Sequence, residues 1–194
     1  MSCLINNISV IIPVFNAERF LQKAVESALL LPEVKEVLLV EDGSNDHSFE
    51  ICKALETGND KVRLFVHSNH ENKGAGASRN VGIENATGDF IAFLDADDFY
   101  LPNRFEAERN IFETQPDVDG VYGALGFHYY SEQGKEKYDQ ASFGKLTTLN
   151  GKPAPDELFL SLAWLHPGIN GHFSIVAARR EAHFFSGRTK EARP

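Results

Sequence analysis

The chain of 194 residues has only two cysteines, Cys3 and Cys52. Two thiols cannot build a disulfide framework or a four-ligand zinc site, and sparse cysteine fits a reducing compartment. Long apolar runs are equally scarce. None approaches the ~18 residues that span a bilayer. The first, residues 8–15, has no basic flank before it and no small-residue cleavage pattern after it, so it reads as a strand and not as a signal peptide. Basic charge is in deficit: 19 Lys and Arg stand against 28 Asp and Glu, a formal net charge of −9. Such a chain is a poor partner for a polyanionic nucleic-acid backbone, although a local site can oppose the global charge and take a small anion. No Gly-x-Ser-x-Gly elbow, His-Glu-x-x-His pair or Gly-x-x-x-x-Gly-Lys loop is present. Their absence leaves no sequence support for a Ser-His-Asp hydrolase, a His-Glu-x-x-His zinc site or a P-loop. Internal repeats and low-complexity segments are missing too. A single cytoplasmic α/β domain over residues 1–194 is the expectation, with no transmembrane segment and with peripheral membrane contact left open.

What is present begins with Ile8-Ser9-Val10-Ile11-Ile12-Pro13-Val14, short, β-branched and almost continuously apolar. That is the pattern of a strand buried on both faces of a parallel sheet, ending near Pro13, which cannot donate to a ladder. Phe20, Leu21, Ala24, Val25, Ala28 and Leu29 then mark one face of a helix that Pro32 stops. The alternation repeats. Val37-Leu38-Leu39-Val40 predicts a second strand, and the acidic turn at residues 41–46 offers N-caps for a helix through Ile51, Cys52 and Leu55. Val62, Leu64 and Val66 predict a third strand. A glycine-rich loop at residues 72–76 leads to a small-residue helix reaching about Ala86. Residues 90–94 predict a fourth strand, and Pro102 sits where another helix should start. Four strand–helix alternations with short connections describe a parallel sheet covered by helices. Ligands of such sheets bind at the carboxyl ends of the strands, here at the loops beginning at Phe15, Asp42, Ser68 and Asp95. Later regularity is weaker: a strand at residues 120–127, a polar loop or hairpin at 131–150, a helix at 156–165 and a strand at 173–178. The tail from residue 179 has five basic and two acidic residues and no convincing core.

The most informative segment is Asp95-Ala96-Asp97-Asp98. Three carboxylates in four residues raise one another's pKa unless a cation is present. Hard oxygen ligands of this kind suit Mg²⁺ or Mn²⁺ bound together with a phosphate. A calcium loop fails, because Tyr100 takes the place where glycine is needed and Phe99 offers no side-chain oxygen. The bland reading is an acidic turn capping the Pro102 helix. Asp42, at the end of the second strand, can accept from a pyrimidine N–H or ribose hydroxyls, or simply form a turn or cap a helix. Phe15 can stack on a base, but on its own the core reading wins. Lys73, Gly74, Gly76 and Arg79 make a basic strand-to-helix turn suited to an anion. Arg79 can hold a diphosphate or pair with the acidic cluster.

Four ordered segments carry a family likeness. Residues 8–16, Val40-Glu41-Asp42-Gly43-Ser44-Asn45-Asp46, Gly76-Ala77-Ser78-Arg79-Asn80-Val81-Gly82-Ile83 and Phe93-Leu94-Asp95-Ala96-Asp97-Asp98 resemble the family 2 glycosyltransferases. The resemblance implies a GT-A fold, a three-layer α/β/α sandwich with a mostly parallel central sheet, and inverting transfer from a nucleotide-diphosphate sugar. It places a donor-binding half at residues 8–125 and an acceptor-side part at 126–194. It implies nucleotide-sugar contacts from Pro13, Val14, Phe15, Asn16, Glu41, Asp42, Lys73, Arg79, Asp95, Ala96 and Asp97. Asp42 would hold the base, typically uracil. Asp95-Ala96-Asp97 matches the DxD motif, and Asp97 or Asp98 would ligate Mg²⁺ or Mn²⁺. The acceptor would be a glycan or lipid-linked hydroxyl, and polysaccharide synthesis is the family default. The family usually takes its general base from an acidic pair well downstream, and no such pair follows residue 157 here. The expectation is that the base is missing and that 194 residues are the length of an enzyme cut short. Two other readings follow: a nucleotide-sugar binding fragment without a base, and a nucleotidyltransferase. The latter wants a glycine-rich loop directly after the first strand, which Phe15-Asn16-Ala17-Glu18 does not supply.

Overall fold

The computed structural model describes residues 6–122, 128–133, 136 and 176–179. Expectations for residues 123–127, for most of 131–150 and for 156–175 lie outside the described residues. The chain forms two compact units, one of residues 1–121 with 176–194 and one of residues 122–175. In the second, the His128 and Tyr130 rings meet edge to face at 5.0 Å.

The first unit is built on a sheet of order β3-β2-β1-β4-β6-β5. Its strands are β1 (Ile8–Val14), β2 (Val34–Glu41), β3 (Val62–Val66), β4 (Phe90–Phe93), β5 (Gly120–Tyr122) and β6 (Val176–Arg179). The first four are parallel, with Ile8 opposite both Val34 and Phe90. β6 runs antiparallel to β4, so the sheet is mostly and not wholly parallel. The helices are α1 (Leu21–Leu29), α2 (Ser48–Gly58), α3 (Gly74–Asn85) and α4 (Glu106–Thr114).

Alternation along β1 sorts the core into two faces. Val10, Ile12 and Val14 point toward α1, α2 and α4, where they join Leu21, Val25, Cys52, Phe105 and Phe112. Ile11 points the other way and packs with Leu38, Ile91 and Phe93 beneath Ala86 and Ile83 at the end of α3. Helices on both faces of one sheet give the three layers that near-continuous apolar strands require.

Three boundaries differ from expectation by more than a residue, each for a physical reason. β2 starts at Val34 and not at Val37, because the carboxylate of Glu36 is buried by bonding and so continues the strand. α3 starts at Gly74, so the glycine-rich stretch supplies a first helical turn as well as a loop. Pro102 opens a turn, and α4 begins four residues later at Glu106.

α3 has few apolar side chains and is held by polar bonds at its far end. Glu36 Oε1 accepts from the Ser9 hydroxyl at 2.6 Å, the Thr87 amide at 2.7 Å and the Thr87 hydroxyl at 2.8 Å. Its Oε2 accepts from Arg63 at 3.1 Å, and Arg63 also donates to the Asn85 carbonyl at 3.0 Å. Burial alone would push the Glu36 carboxyl up, but the bonds from Ser9, Thr87 and Arg63 outweigh it and hold the group below the usual carboxylate range. Between its ends, α3 lies on β1 at Gly82, where a Cβ would stand 2.4 Å from Ile11 Cγ2.

Candidate active site

The carboxyl ends of β2, β1 and β4 lie side by side, and the loops leaving them carry the motif residues. Adjacent strands are about 4.8 Å apart, so the loops after β2 and β4 stand about 10 Å from each other across β1. Pro13 and Val14 close β1, with Val14 buried, and Phe15 emerges 47% exposed. An exposed ring at that edge is not core packing, so the core reading of Phe15 fails. Asn16 follows at φ +51°, a conformation that asparagine tolerates better than most residues.

The loops after β1 and β2 are laced together. Asn16 donates its amide to Ser44 Oγ at 3.0 Å and accepts the Asn45 amide on Oδ1 at 2.8 Å. Ala17 and Glu18 donate their amides to Ser48 Oγ at 2.8 Å and Asp46 Oδ2 at 3.1 Å. Asp46 Oδ1 also accepts the Ser48 amide and so starts α2. Its slight desolvation pushes the carboxyl up, and the Ser48 and Glu18 bonds more than reverse this and hold it low. Glu41 is buried, with Oε1 accepting the Ser44 amide.

Asp42 is buried as well, its side chain only 3% exposed. Oδ1 accepts the Lys73 amide at 2.6 Å and Oδ2 accepts the Gly74 amide at 2.9 Å. Asp42 therefore satisfies orphan donors at the start of α3, a cap supplied from another strand. Next to it Gly43 adopts φ +74°, and a Cβ there would lie 2.6 Å from the His70 carbonyl and 2.9 Å from the Asn72 nitrogen. Only glycine fits that turn. By contrast, nothing stands within 4 Å of a Cβ built on Gly74 or Gly76, so the first turn of α3 faces open space. The Lys73 side chain is exposed, its Nζ 3.9 Å from Glu71.

One turn further along α3, Arg79 reaches the acidic segment. Its Nη2 lies 2.7 Å from Asp95 Oδ1, with the guanidinium 5.9 Å from the centre of the Phe93 ring. Arg79 thus makes the pairing with the acidic segment that was one of its two sequence alternatives. Asp95 turns the chain by accepting the Asp98 amide on its carbonyl at 3.0 Å. Ala96 is buried while Asp97 and Asp98 are exposed. Tyr100 anchors the exit of β4, donating its hydroxyl to the Phe93 carbonyl at 2.8 Å and its amide to Ser27 Oγ at 3.0 Å. Full burial pushes its phenol pKa well up, so it stays a neutral donor.

Among the described residues no three Asp, Glu, His or Cys side chains converge on one point. That does not disfavour Mg²⁺ or Mn²⁺. Mg²⁺ commonly takes one or two carboxylates and completes its shell with water and substrate phosphate. The adjacent, exposed Asp97 and Asp98 fit that donor set.

The roles of two buried residues escaped the sequence. His67, at the end of β3, places Nε2 2.9 Å from Ser78 Oγ on α3 and 3.5 Å from Asp42 Oδ1. Neither residue stands in a spacing that announces it.

Curated relatives with similar sequences include an uncharacterized glycosyltransferase of Rickettsia bellii, 35% identical over 178 residues, which are 91% of this chain and 24% of that protein. Another, of Haemophilus influenzae, is 40% identical over 121 residues, 62% of this chain and 47% of that protein. Glycosyltransferase GlyG of Streptococcus pneumoniae is 30% identical over 192 residues, 93% of this chain and 60% of that protein. The chain thus spans less than two thirds of each. Among solved structures, S. aureus TarS 1-349 matches with a TM-score of 0.51 at 26% identity, over 63% of this chain and 38% of that one. A mannosyltransferase of Pyrobaculum calidifontis shares the fold, with a TM-score of 0.52 at 19% identity over 60% of this chain and 34% of that one. These neighbours have the GT-A glycosyltransferase fold expected from the motif order. The family model described as Glycosyl transferase family 2 matches residues 9–183, nearly the whole sequence and every strand-end loop described above. On that match the chain belongs to glycosyl transferase family 2.

Proposed function

We propose that the chain binds a nucleotide-diphosphate sugar, a uridine one first, along the ends of β2, β1 and β4. It would transfer the sugar with inversion to a hydroxyl of a glycan or lipid-linked acceptor. One observation carries this reading: Asp42, Arg79, Asp95, Asp97 and Asp98 share one edge of the sheet, beside an exposed Phe15. The uridine preference is supported by TarS, which has been solved with UDP-GlcNAc and resembles this chain at 27% identity and a TM-score of 0.50.

The residues divide the donor between them. Asp42 offers so little accessible carboxylate that it suits one N–H of a base edge and not a hydrated cation. Phe15 supplies a ring on which that base stacks, with Pro13, Val14 and Asn16 as its backbone floor and Glu41 holding the Ser44 turn in place. The open first turn of α3, with Lys73 beside it, favours the diphosphate. Arg79 holds Asp95 toward the ribose and phosphate side. Asp97 and Asp98 would hold Mg²⁺ or Mn²⁺, which when bound neutralises charge on the departing diphosphate. The acceptor proton needs a carboxylate base, to which none of the residues above is assigned.

Incubating the protein with a panel of nucleotide sugars, with and without Mn²⁺, and following release of the nucleoside diphosphate tests the reading. Metal-dependent release from a uridine-linked sugar is expected. Binding of that donor without release would instead favour a donor-binding piece that lacks its base. The absence of both binding and release would overturn the proposal.

A further inference from the structure

The donor reading leaves unexplained why a histidine and a serine are buried behind Asp42. His67 and Ser78 are both buried, and they bond each other. The hydrogen-bond geometry around them assigns a role. Ser78 Oγ lies 3.2 Å from the Gly74 carbonyl, one turn back on α3, and donates its single proton there. With that proton committed, Ser78 is assigned as the acceptor from His67, with the ring proton on Nε2. The opposite tautomer would turn an Nε2 lone pair toward the Asp42 carboxylate at 3.5 Å, which is repulsive. With the proton on Nε2, one N–H bonds Ser78 and faces Asp42 Oδ1 with its positive side.

A carboxylate has about four acceptor positions. On Asp42, Oδ1 takes the Lys73 amide and faces the His67 ring, and Oδ2 takes the Gly74 amide. The position left over is the second one on Oδ2. We infer that His67 is a positioning residue for the nucleobase. The Lys73 and Gly74 amides hold the rotation of the Asp42 carboxylate, and His67, facing the far side of Oδ1, closes that oxygen to a further donor, so that Oδ2 alone meets a ring N–H of the base. This rests on the donor reading above and deepens it: the site selects bases with a ring N–H, as in uracil or guanine. It rejects cytosine and adenine, whose corresponding nitrogen is an acceptor that a carboxylate repels.

The test measures affinities of UDP, CDP, GDP and ADP by calorimetry with Mn²⁺, for wild type, His67→Phe, His67→Gln and Ser78→Ala. Wild type is expected to bind UDP or GDP at least about tenfold tighter than the matched CDP or ADP, the scale of one charge-assisted hydrogen bond. His67→Phe should erase most of that ratio, and His67→Gln, which restores an N–H, should recover it. Ser78→Ala frees the ring N–H for Asp42 and should keep the ratio; if His67→Phe does not fold, the smaller His67→Leu takes its place and should likewise erase most of the ratio. A purely structural role for His67 predicts instead that His67→Phe weakens all the diphosphates by one factor, leaving the ratio intact. That result, or loss of the ratio in Ser78→Ala, overturns the inference while the donor reading stands. Wild type that binds none of the four overturns both.

Discussion

Replacing Gly82 by alanine sets two known effects against each other. In an exposed helix the change would stabilise by about 0.8–1.0 kcal/mol, because alanine is the better helix former. Here the new methyl would stand 2.4, 2.9 and 3.0 Å from Ile11 Cγ2, Cγ1 and Cδ1. Ile11 is fully buried in the middle of β1, and its branched Cβ makes it stiff at χ1. Overpacking of this kind costs about 1–3 kcal/mol, and two contacts under 3 Å on a stiff side chain belong in the upper part of that range. A net loss of about 1–2 kcal/mol remains, or a fall of about 2–8 °C in Tm for a chain of this size. The same displacement lifts α3 off the sheet and loosens Arg79 from Asp95. Thermal and urea unfolding measure the first effect. Pairing Gly82→Ala with Ile11→Ala, which vacates the same space, should cost less than the sum of the two single changes by about 1 kcal/mol or more. A higher Tm for Gly82→Ala, or strict additivity in the double variant, would refute the claim that this contact seats the helix.

Other consequences are equally open to measurement. Glu36 is held below its ordinary pKa, so the folded state binds its proton less readily than the unfolded chain does. Its contribution is complete above the unfolded value, about 4.3, and is lost as pH falls through the lower folded one. Glu36→Gln should therefore flatten the acid limb of stability against pH, and an unchanged limb would contradict the assignment. Gly43→Ala combines a left-handed φ with backbone 2.6 Å away. It should cost about 1–3 kcal/mol and weaken nucleoside-diphosphate binding, read by calorimetry. Cys52 is buried and its thiol is pushed up to about 12 by desolvation and by the Glu41, Glu56 and Asp46 charges. In the folded protein it should resist alkylation at pH 8, and rapid labelling would show that α2 opens.

Much of the fold was legible because burial on both faces leaves a coarse signal. β1 and β4 are almost pure apolar runs, and α1 shows its face in Leu21, Ala24, Val25 and Ala28. What stayed hidden is polar. Glu36 reads as a surface residue until Ser9, Thr87 and Arg63 are placed around it from distant parts of the chain. The start of α3 was obscured for the same reason, since its cap is a carboxylate thirty-odd residues upstream. In the candidate site, the motif residues at the ends of β1, β2 and β4 were readable in order. Their partners were not. Asp42 bonds backbone amides, which leave no trace in side-chain sequence, and His67 meets Ser78 from a different element with no periodic spacing between them.

The central claim is that the carboxyl edge of this sheet binds a nucleoside diphosphate together with a divalent ion. Calorimetric titration of the whole chain with UDP and GDP, with and without Mn²⁺, tests it most directly when repeated on Asp97→Ala. The expected result is binding by wild type that depends on Mn²⁺ and is lost in Asp97→Ala, with the variant's Tm unchanged because Asp97 is exposed. Equal affinity in wild type and Asp97→Ala, or binding indifferent to Mn²⁺, would contradict it.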